Sequence, residues 1–168
     1  MSERPVTTGI FPRRTRCRLM DAPLESIMDL GDQALTGVFP RDASVPVSVS
    51  PLELAFCRES GLVQLAHDYP GELMYGETYG YRSGLNASMV RHLEQKMRKL
   101  ETELRPLEAG DIVLDIGAND ATALKAYQTS GIKRIGIDPS AAKFRRFYTD
   151  DIALEVDFFS DAAYARHA

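Results

Sequence analysis

The chain has 168 residues, 24 acidic and 20 basic side chains and a formal net charge of -4, with 44% hydrophobic and 26% charged residues. This is the composition of a soluble globular protein, and the acidic balance argues against a general nucleic-acid binder. No run of 18 apolar residues is present, which excludes a transmembrane helix. No export signal follows the Arg13-Arg14 pair, so two cysteines imply a reducing compartment and the default reading is cytoplasmic.

Seven of the nine prolines lie at or before Pro70, and the first lysine is Lys96, so an irregular front part precedes a regular back part. In the front part, Leu24, Ile27, Met28 and Leu30 form a short apolar cluster ending at Gly31. Residues 44–50 alternate as a strand does, and Pro46 confines that strand to a sheet edge. Residues 52–57 and 61–66 read as short strands around a turn at Glu59-Ser60-Gly61. So few periodic elements make a weak core, of the kind that metals often staple.

Residues 85–104 predict a helix, because Leu85, Met89, Leu93, Met97, Leu100 and Leu104 make one apolar stripe. Glu94 with Arg98 and Glu101 with Arg105 are spaced as favourable i,i+4 pairs, and Pro106 ends the helix. Ser83 and Asn86 read as helix caps, and His92 as a half-exposed helix residue. Arg13, Arg14, Arg16 and Arg18 read as a solvated arm.

From residue 111 the pattern is β-α-β-α-β. The apolar run 112–116 predicts a strand buried on both faces, residues 121–129 a helix closed by Gly131, and residues 134–137 a second strand ending at Asp138. Pro139 and Ser140 open another helix to about Thr149, and residues 152–156 make a third strand ending at Asp157. This is the opening half of a doubly wound parallel sheet.

The chemistry concentrates in residues 114–124. Asp115 ends a strand, Gly117 permits a tight turn and close approach of a ligand to the main chain, and small residues open the next helix. Asp138 follows 21 residues after Gly117, at the end of the next strand, where a carboxylate accepts ribose hydroxyls. Together these point to an adenosine-containing cofactor. NAD requires further glycines and a helix N-terminus for its pyrophosphate, which Asp115 and Asp120 would repel. S-adenosylmethionine, cationic at sulfur and free of phosphate, suits the acids better. The remaining alternative is an ordinary turn in which Asp138 caps the following helix.

The sequence resembles the bacterial sugar C-methyltransferase family. The resemblance is carried by Asp29-Leu30-Gly31, by Cys57 with Gly61-Leu62-Val63-Gln64-Leu65, and by Tyr79-Gly80-Tyr81-Arg82-Ser83. It continues through Leu114-Asp115-Ile116-Gly117-x-Asn119-Asp120, Gly136-Ile137-Asp138-Pro139-Ser140 and Asp157-Phe158-Phe159. It implies an α/β chain in three parts: a small irregular zinc-ribbon-like N-terminal domain (1–75), a linking segment and amphipathic helix (76–106), and the first β-α-β-α-β half of a Rossmann-like class I methyltransferase sheet (107–168). The implied activity is S-adenosylmethionine-dependent C-methylation of a nucleotide-linked keto-deoxysugar. Asp115, Gly117, Asn119, Asp138 and Asp157 are the implied cofactor-binding residues, and Tyr81 and Tyr79 the implied catalytic ones.

Three departures from the family pattern stand out. Each Cys-x-x-Cys pair has kept only its first cysteine, as Cys17-Arg18-Leu19-Met20 and Cys57-Arg58-Glu59-Ser60. Cys17 and Cys57 are therefore expected side by side as a degenerate metal site, with Met20 and Ser60 facing the same point and no tight zinc, which needs four thiolate or imidazole ligands. Ala121 stands where the family usually has glycine. The chain also ends at Ala168, before the further strands of such a sheet. The expectation is a truncated enzyme, or a non-catalytic remnant or binding module, that self-associates or pairs with a chain carrying the rest.

Overall fold

The protein divides into two units, Met1–Gly80 and Tyr81–Ala168, and the computed structural model describes residues 6–8, 11–35, 42, 44–76 and 79–167. The described residues form a mixed α/β chain with two small sheets, one of them wholly parallel. No helix among the described residues is long and apolar enough to cross a membrane.

In the N-terminal unit, β1 (Val6–Thr8), β2 (Glu25–Ala34), β3 (Val47–Phe56) and β4 (Val63–Leu65) form one sheet. β3 is its organising strand: β1 runs parallel to its start, β4 antiparallel to its end, and β2 antiparallel along its length. The sheet-edge expectation for residues 44–50 is thus corrected. Pro46 precedes the strand rather than interrupting it, and Pro51, which lacks an N–H, lies opposite Asp32 beside an irregularity in β2 between Asp29 and Asp32. The expected turn joins β3 to β4, with Gly61 in the left-handed region at φ 72° and its N–H donating to Cys57 O. The apolar cluster of β2 is not core, since Ile27, Met28 and Leu30 are all half exposed. A short helix, α1 (Gly71–Tyr75), closes the unit.

The C-terminal unit opens with a 3-10 turn (Ser83–Leu85) and α2 (Ala87–Lys99). Asn86 caps α2, its side-chain oxygen accepting from Ser88 N at 2.9 Å, while Ser83 supplies no such cap. The helix continues as a π-helical turn, Leu100–Leu104, and this widening changes the expected ion pairs. Glu101 turns inward, 6% exposed, and accepts from the backbone amides of Gln128 and Thr129. Burial pushes its carboxyl up, but the bonds from Thr129 and Gln128 win and hold it below the ordinary value. Arg105 pairs instead with Asp111, and the i,i+4 pair that forms is Lys99 with Glu103. Of the apolar stripe, Met97 is buried, while Leu85 and Leu104 stay exposed.

A parallel sheet follows, built from β5 (Ile112–Ile116), β6 (Lys133–Ile137) and β7 (Ile152–Glu155) in that order. The connections are α3 (Thr122–Lys125) and a 3-10 helix (Ala141–Phe147), and α4 (Asp161–Ala165) follows β7. Both connecting helices are shorter than the sequence pattern predicts. The alternation of β6 divides the core: Ile135 and Ile137 pack on Ala163 of α4, and Gly136 faces Ala118, Leu124 and Tyr148. β5 pairs only with β6 among the described strands, and Ile112 and Ile116 at its ends are 43% and 57% exposed. Among the described strands β5 is therefore a sheet edge, its apolar run only partly covered.

Candidate functional site

The turn after β5 is built from left-handed residues. Gly117 has φ 80° and donates its N–H to Ile137 O at 2.8 Å, which ties the turn to the end of β6. A Cβ placed on Gly117 would meet no atom within 4 Å, so open space lies in front of it. Asn119 and Ala121 also have positive φ, 51° and 60°. Asparagine tolerates this region. For alanine it is strained, at about 1–2 kcal/mol, and the Ala121 methyl is fully buried against Ala118, Leu124 and Ile152.

Asp138 meets this turn from β6. Its Oδ2 accepts from Asn119 N at 2.8 Å, and its Oδ1 from Ser140 N and Oγ at 2.6 and 2.7 Å. Each carboxylate oxygen has two acceptor positions; Oδ1 is filled, and Oδ2 retains one. The Asp115 carboxyl has no hydrogen-bond partner among the described residues, and burial together with neighbouring Asp138 pushes it up, against the attraction of Lys96. Tyr148 donates its O–H to Asn119 O at 3.0 Å. Burial, reinforced by Asp138, Asp115 and Asp120, raises its phenol. The turn thus gathers the Asp115, Asp120 and Asp138 carboxyls, with Asp138 met by backbone amides and the Ser140 hydroxyl. Asp115, Gly117, Asn119 and Asp138 are brought together. Asp157, half exposed at the end of β7, pairs with Arg166 at 3.2 Å.

The segment before α2 is fastened onto the same turn. Asn119 Nδ2 donates to Tyr81 O, and its Oδ1 accepts from Ser83 N, both at 3.0 Å. Asp120, 1% exposed, accepts from Gly84 N at 3.0 Å and pairs with Arg82 at 3.2 Å. Gly84 has no room for a side chain, since its Cβ would stand 2.5 Å from Asp120 Oδ2. Backbone bonds therefore hold Tyr81 beside the turn while its side chain stays 48% exposed. Tyr79 belongs to the N-terminal unit, where its ring meets Tyr75 edge-on at 5.5 Å. Arg82, Asp120 and Tyr148 join the site although their residue types and spacing alone do not mark them as site residues. Arg82 and Asp120 lie inside the quoted motifs, but only the fold shows that those two motifs bind one another.

In the N-terminal unit Cys17 and Cys57 are buried in one cluster with Ala22, as expected. Cys17 Sγ lies 3.3 Å from Ser60 Oγ and accepts from Leu19 N at 3.4 Å; Cys57 Sγ points to Glu59 at 3.7 Å. The Ser60 hydroxyl and the Leu19 and Met20 amides, against an opposing effect of burial, bring the Cys17 thiol down to about 7. Ser60 faces the Cys17 sulfur, and Met20 is 44% exposed. Two thiols and a hydroxyl already engaged in a hydrogen bond do not fit zinc. No group of three or more His, Cys, Asp or Glu among the described residues is placed to hold a metal, and His67, buried with Nδ1 unpartnered, adds no third ligand.

Residues 17–75 match a family model described as "putative zinc binding domain". The chain is also 29% identical over 90 residues to the C-methyltransferase NovU of Streptomyces niveus, which covers 54% of this chain and 21% of that protein. The matched part thus spans about a fifth of the relative's length. Both matches agree with the resemblance carried by the motifs: the chain is similar to a putative zinc-binding domain over residues 17–75 and to part of a C-methyltransferase over 90 residues, which supports a methyltransferase-related chain.

Proposed function

We propose that this chain is the methyl-donor-binding part of a cytoplasmic C-methyltransferase, with S-adenosylmethionine as donor and a nucleotide-linked keto-deoxysugar as acceptor. The observation that carries this reading is the turn after β5, where open space lies in front of Gly117 and Asp138 Oδ2, bonded to Asn119 N, keeps an acceptor position. On this reading the C-terminal unit is the opening half of a Rossmann-like sheet, which binds ligands at the carboxyl ends of its strands. The N-terminal unit is a zinc-ribbon-like domain that has lost its metal ligands.

The bound donor would supply an electrophilic methyl group on a sulfonium sulfur. Asp115 and Asp138 complement that positive charge, whereas they would repel a pyrophosphate. Asp138 Oδ2 has one acceptor position for a ribose hydroxyl, and Gly117 and Asn119 line the approach. The implied reaction removes a proton beside a ketone and joins the methyl group to that carbon. The phenol of Tyr81, whose backbone is held beside the turn, is the group to position the acceptor or assist the base. A second reading, a non-catalytic module that pairs with another chain or with itself, draws on the edge position of β5 and its exposed Ile112 and Ile116.

Titration calorimetry tests the first reading. The chain should bind both S-adenosylmethionine and S-adenosylhomocysteine, and Asp115→Asn should weaken the cationic methionine form more than the neutral thioether. No binding of either, with the chain shown to be folded, would overturn it and leave the second reading.

A further inference from the structure

Cys17 and Cys57 do not fit a zinc site, but they are placed to react with one another. Both thiols are free, buried and packed in one cluster with Ala22, and Cys57 is among the groups hydrogen-bonded to the Cys17 sulfur. The backbone fixes each of them. Cys17 N donates to Ala22 O, Cys57 N donates to Leu62 O, and Cys57 O accepts from Gly61 N, all at 2.9 Å. Two closed turns thus hold the thiols together, although β2 and β3 lie between them in sequence. The two are not equivalent. Cys17 keeps 8% exposure and Cys57 none, and Leu19, two residues after Cys17, is largely exposed. Ser60 Oγ at 3.3 Å and Leu19 N at 3.4 Å put polar groups against the Cys17 sulfur. A thiol in such surroundings is reactive where one in a wholly apolar core is inert. Cys57 instead aims its S–H at Glu59 Oε2, at 3.7 Å, a carboxylate placed to take its proton.

We propose that Cys17 and Cys57 form a peroxide-responsive dithiol, in which a hydroperoxide oxidises Cys17 and Cys57 then closes a disulfide. In the first step the Cys17 sulfur attacks one oxygen of hydrogen peroxide. An S–O bond forms, the O–O bond breaks, and the hydroxide that leaves takes the proton given up by Cys17 and departs as water. Cys17 is then a sulfenic acid. In the second step the Cys57 thiol passes its proton to Glu59, and its sulfur attacks the Cys17 sulfur. The S–S bond forms, the S–O bond breaks, and the departing hydroxide takes the proton back from Glu59 and leaves as water. Two thiols and one peroxide give one disulfide and two waters; the sulfurs lose two electrons and the peroxide gains them. The bond ties the segment before β2 to the end of β3 and so closes a loop around both strands. The pair lies within the N-terminal unit, and the proposal stands whether or not the turn at Gly117 binds a methyl donor.

The test treats the full chain, reduced and washed with EDTA, with hydrogen peroxide. Remaining thiols are alkylated in denaturant and the intact mass is read. Loss of both alkylatable thiols is expected, in a single chain lighter by two hydrogens, with a Cys17–Cys57 linked peptide on digestion and full reversal by dithiothreitol. Cys57→Ser should stop at the sulfenic acid on Cys17, which dimedone traps. Cys17→Ser should leave Cys57 alkylatable at the same dose. Glu59→Gln should slow closure of the disulfide and let dimedone capture Cys17 before it. Circular dichroism establishes that each variant is folded, so that a buried thiol is not exposed by unfolding. Both thiols intact after a dose that fully oxidises glutathione, a disulfide formed only between two chains, or dimedone on Cys57 in the Cys17→Ser chain would overturn the proposal. Closure at the native rate in the Glu59→Gln chain would overturn the assignment of the proton acceptor.

Discussion

Asn119 is the residue on which the candidate site depends most directly. Its side chain makes two hydrogen bonds to the segment before α2, to Tyr81 O and from Ser83 N, and its backbone stands at φ 51°. Replacing it with alanine removes both bonds, at about 0.5–1.5 kcal/mol each, and places a methyl-bearing residue in the left-handed region, at about 1 kcal/mol more. The expected loss is about 2–4 kcal/mol, a large fraction of a typical domain stability. Replacing it with glycine removes the same bonds without the backbone strain. Asn119→Gly should therefore lie about 1 kcal/mol above Asn119→Ala, against the usual order in which glycine is the more destabilising residue. Urea unfolding followed by circular dichroism measures both differences. Hydrogen exchange at Ser83 N, expected to quicken in both variants, reports the bond itself. An alanine variant as stable as the glycine variant, or a Ser83 amide as protected as in the native chain, would refute the reasoning.

The other predictions concern packing, acid and metal. Gly136→Ala should cost about 1–3 kcal/mol by overpacking, because a Cβ there would stand 2.9 Å from the Ala118 Cβ and 3.2 Å from Leu124 Cδ1; the urea midpoint should fall with its slope unchanged. Arg13 grips Glu53 through both nitrogens, at 2.6 and 2.9 Å, and with Ser26 holds the Glu53 carboxyl at about 2 against an ordinary 4.5. The folded value is the lower one, so this ion pair stabilises the N-terminal unit above pH 4.5 and is lost as pH falls towards about 2. Glu53→Gln should weaken the unit at pH 6 and flatten its acid dependence, seen by urea unfolding across that range. Metal analysis of the purified chain should find well under one zinc, and EDTA should leave the unfolding midpoint unchanged; stoichiometric zinc would show a ligand set that Cys17, Cys57 and Ser60 do not explain.

The parallel β-α-β-α-β order was legible because short apolar runs, each ending in Asp115, Asp138 or near Asp157, alternate with helical composition and leave little choice of topology. The N-terminal sheet was less legible. Pro46 and Pro51 argue locally against a central strand, and only the partner strand shows where a missing N–H does no harm. Ion pairs on the helix failed for a similar reason. The i,i+4 rule treats a helix as isolated, whereas Glu101 is drawn inward by two backbone amides 27 and 28 residues away. At the site, the sequence named the turn and the strand-end acids but not the clamp between the turn and residues 81–84. Asn119 and Asp120 read as loop residues until the backbone amides they accept are in view.

Two departures from the family pattern acquire a physical account in the same way. Ser60, in place of a second cysteine, puts a hydroxyl 3.3 Å from the Cys17 sulfur, and Leu19 N approaches the same sulfur at 3.4 Å. The cysteine cluster is thus held by hydrogen bonds to sulfur and by burial of Cys17, Ala22 and Cys57, interactions that need no ion. Ala121, in place of glycine, accepts a strained φ of 60°, but its methyl fills a fully buried position against Leu124 and Ile152. Burying one methyl returns about 0.8 kcal/mol, of the same order as the strain of about 1–2 kcal/mol. Neither substitution leaves an empty position. Each position is filled by a local contact, hydrogen bonds to the Cys17 sulfur at one and a buried methyl at the other.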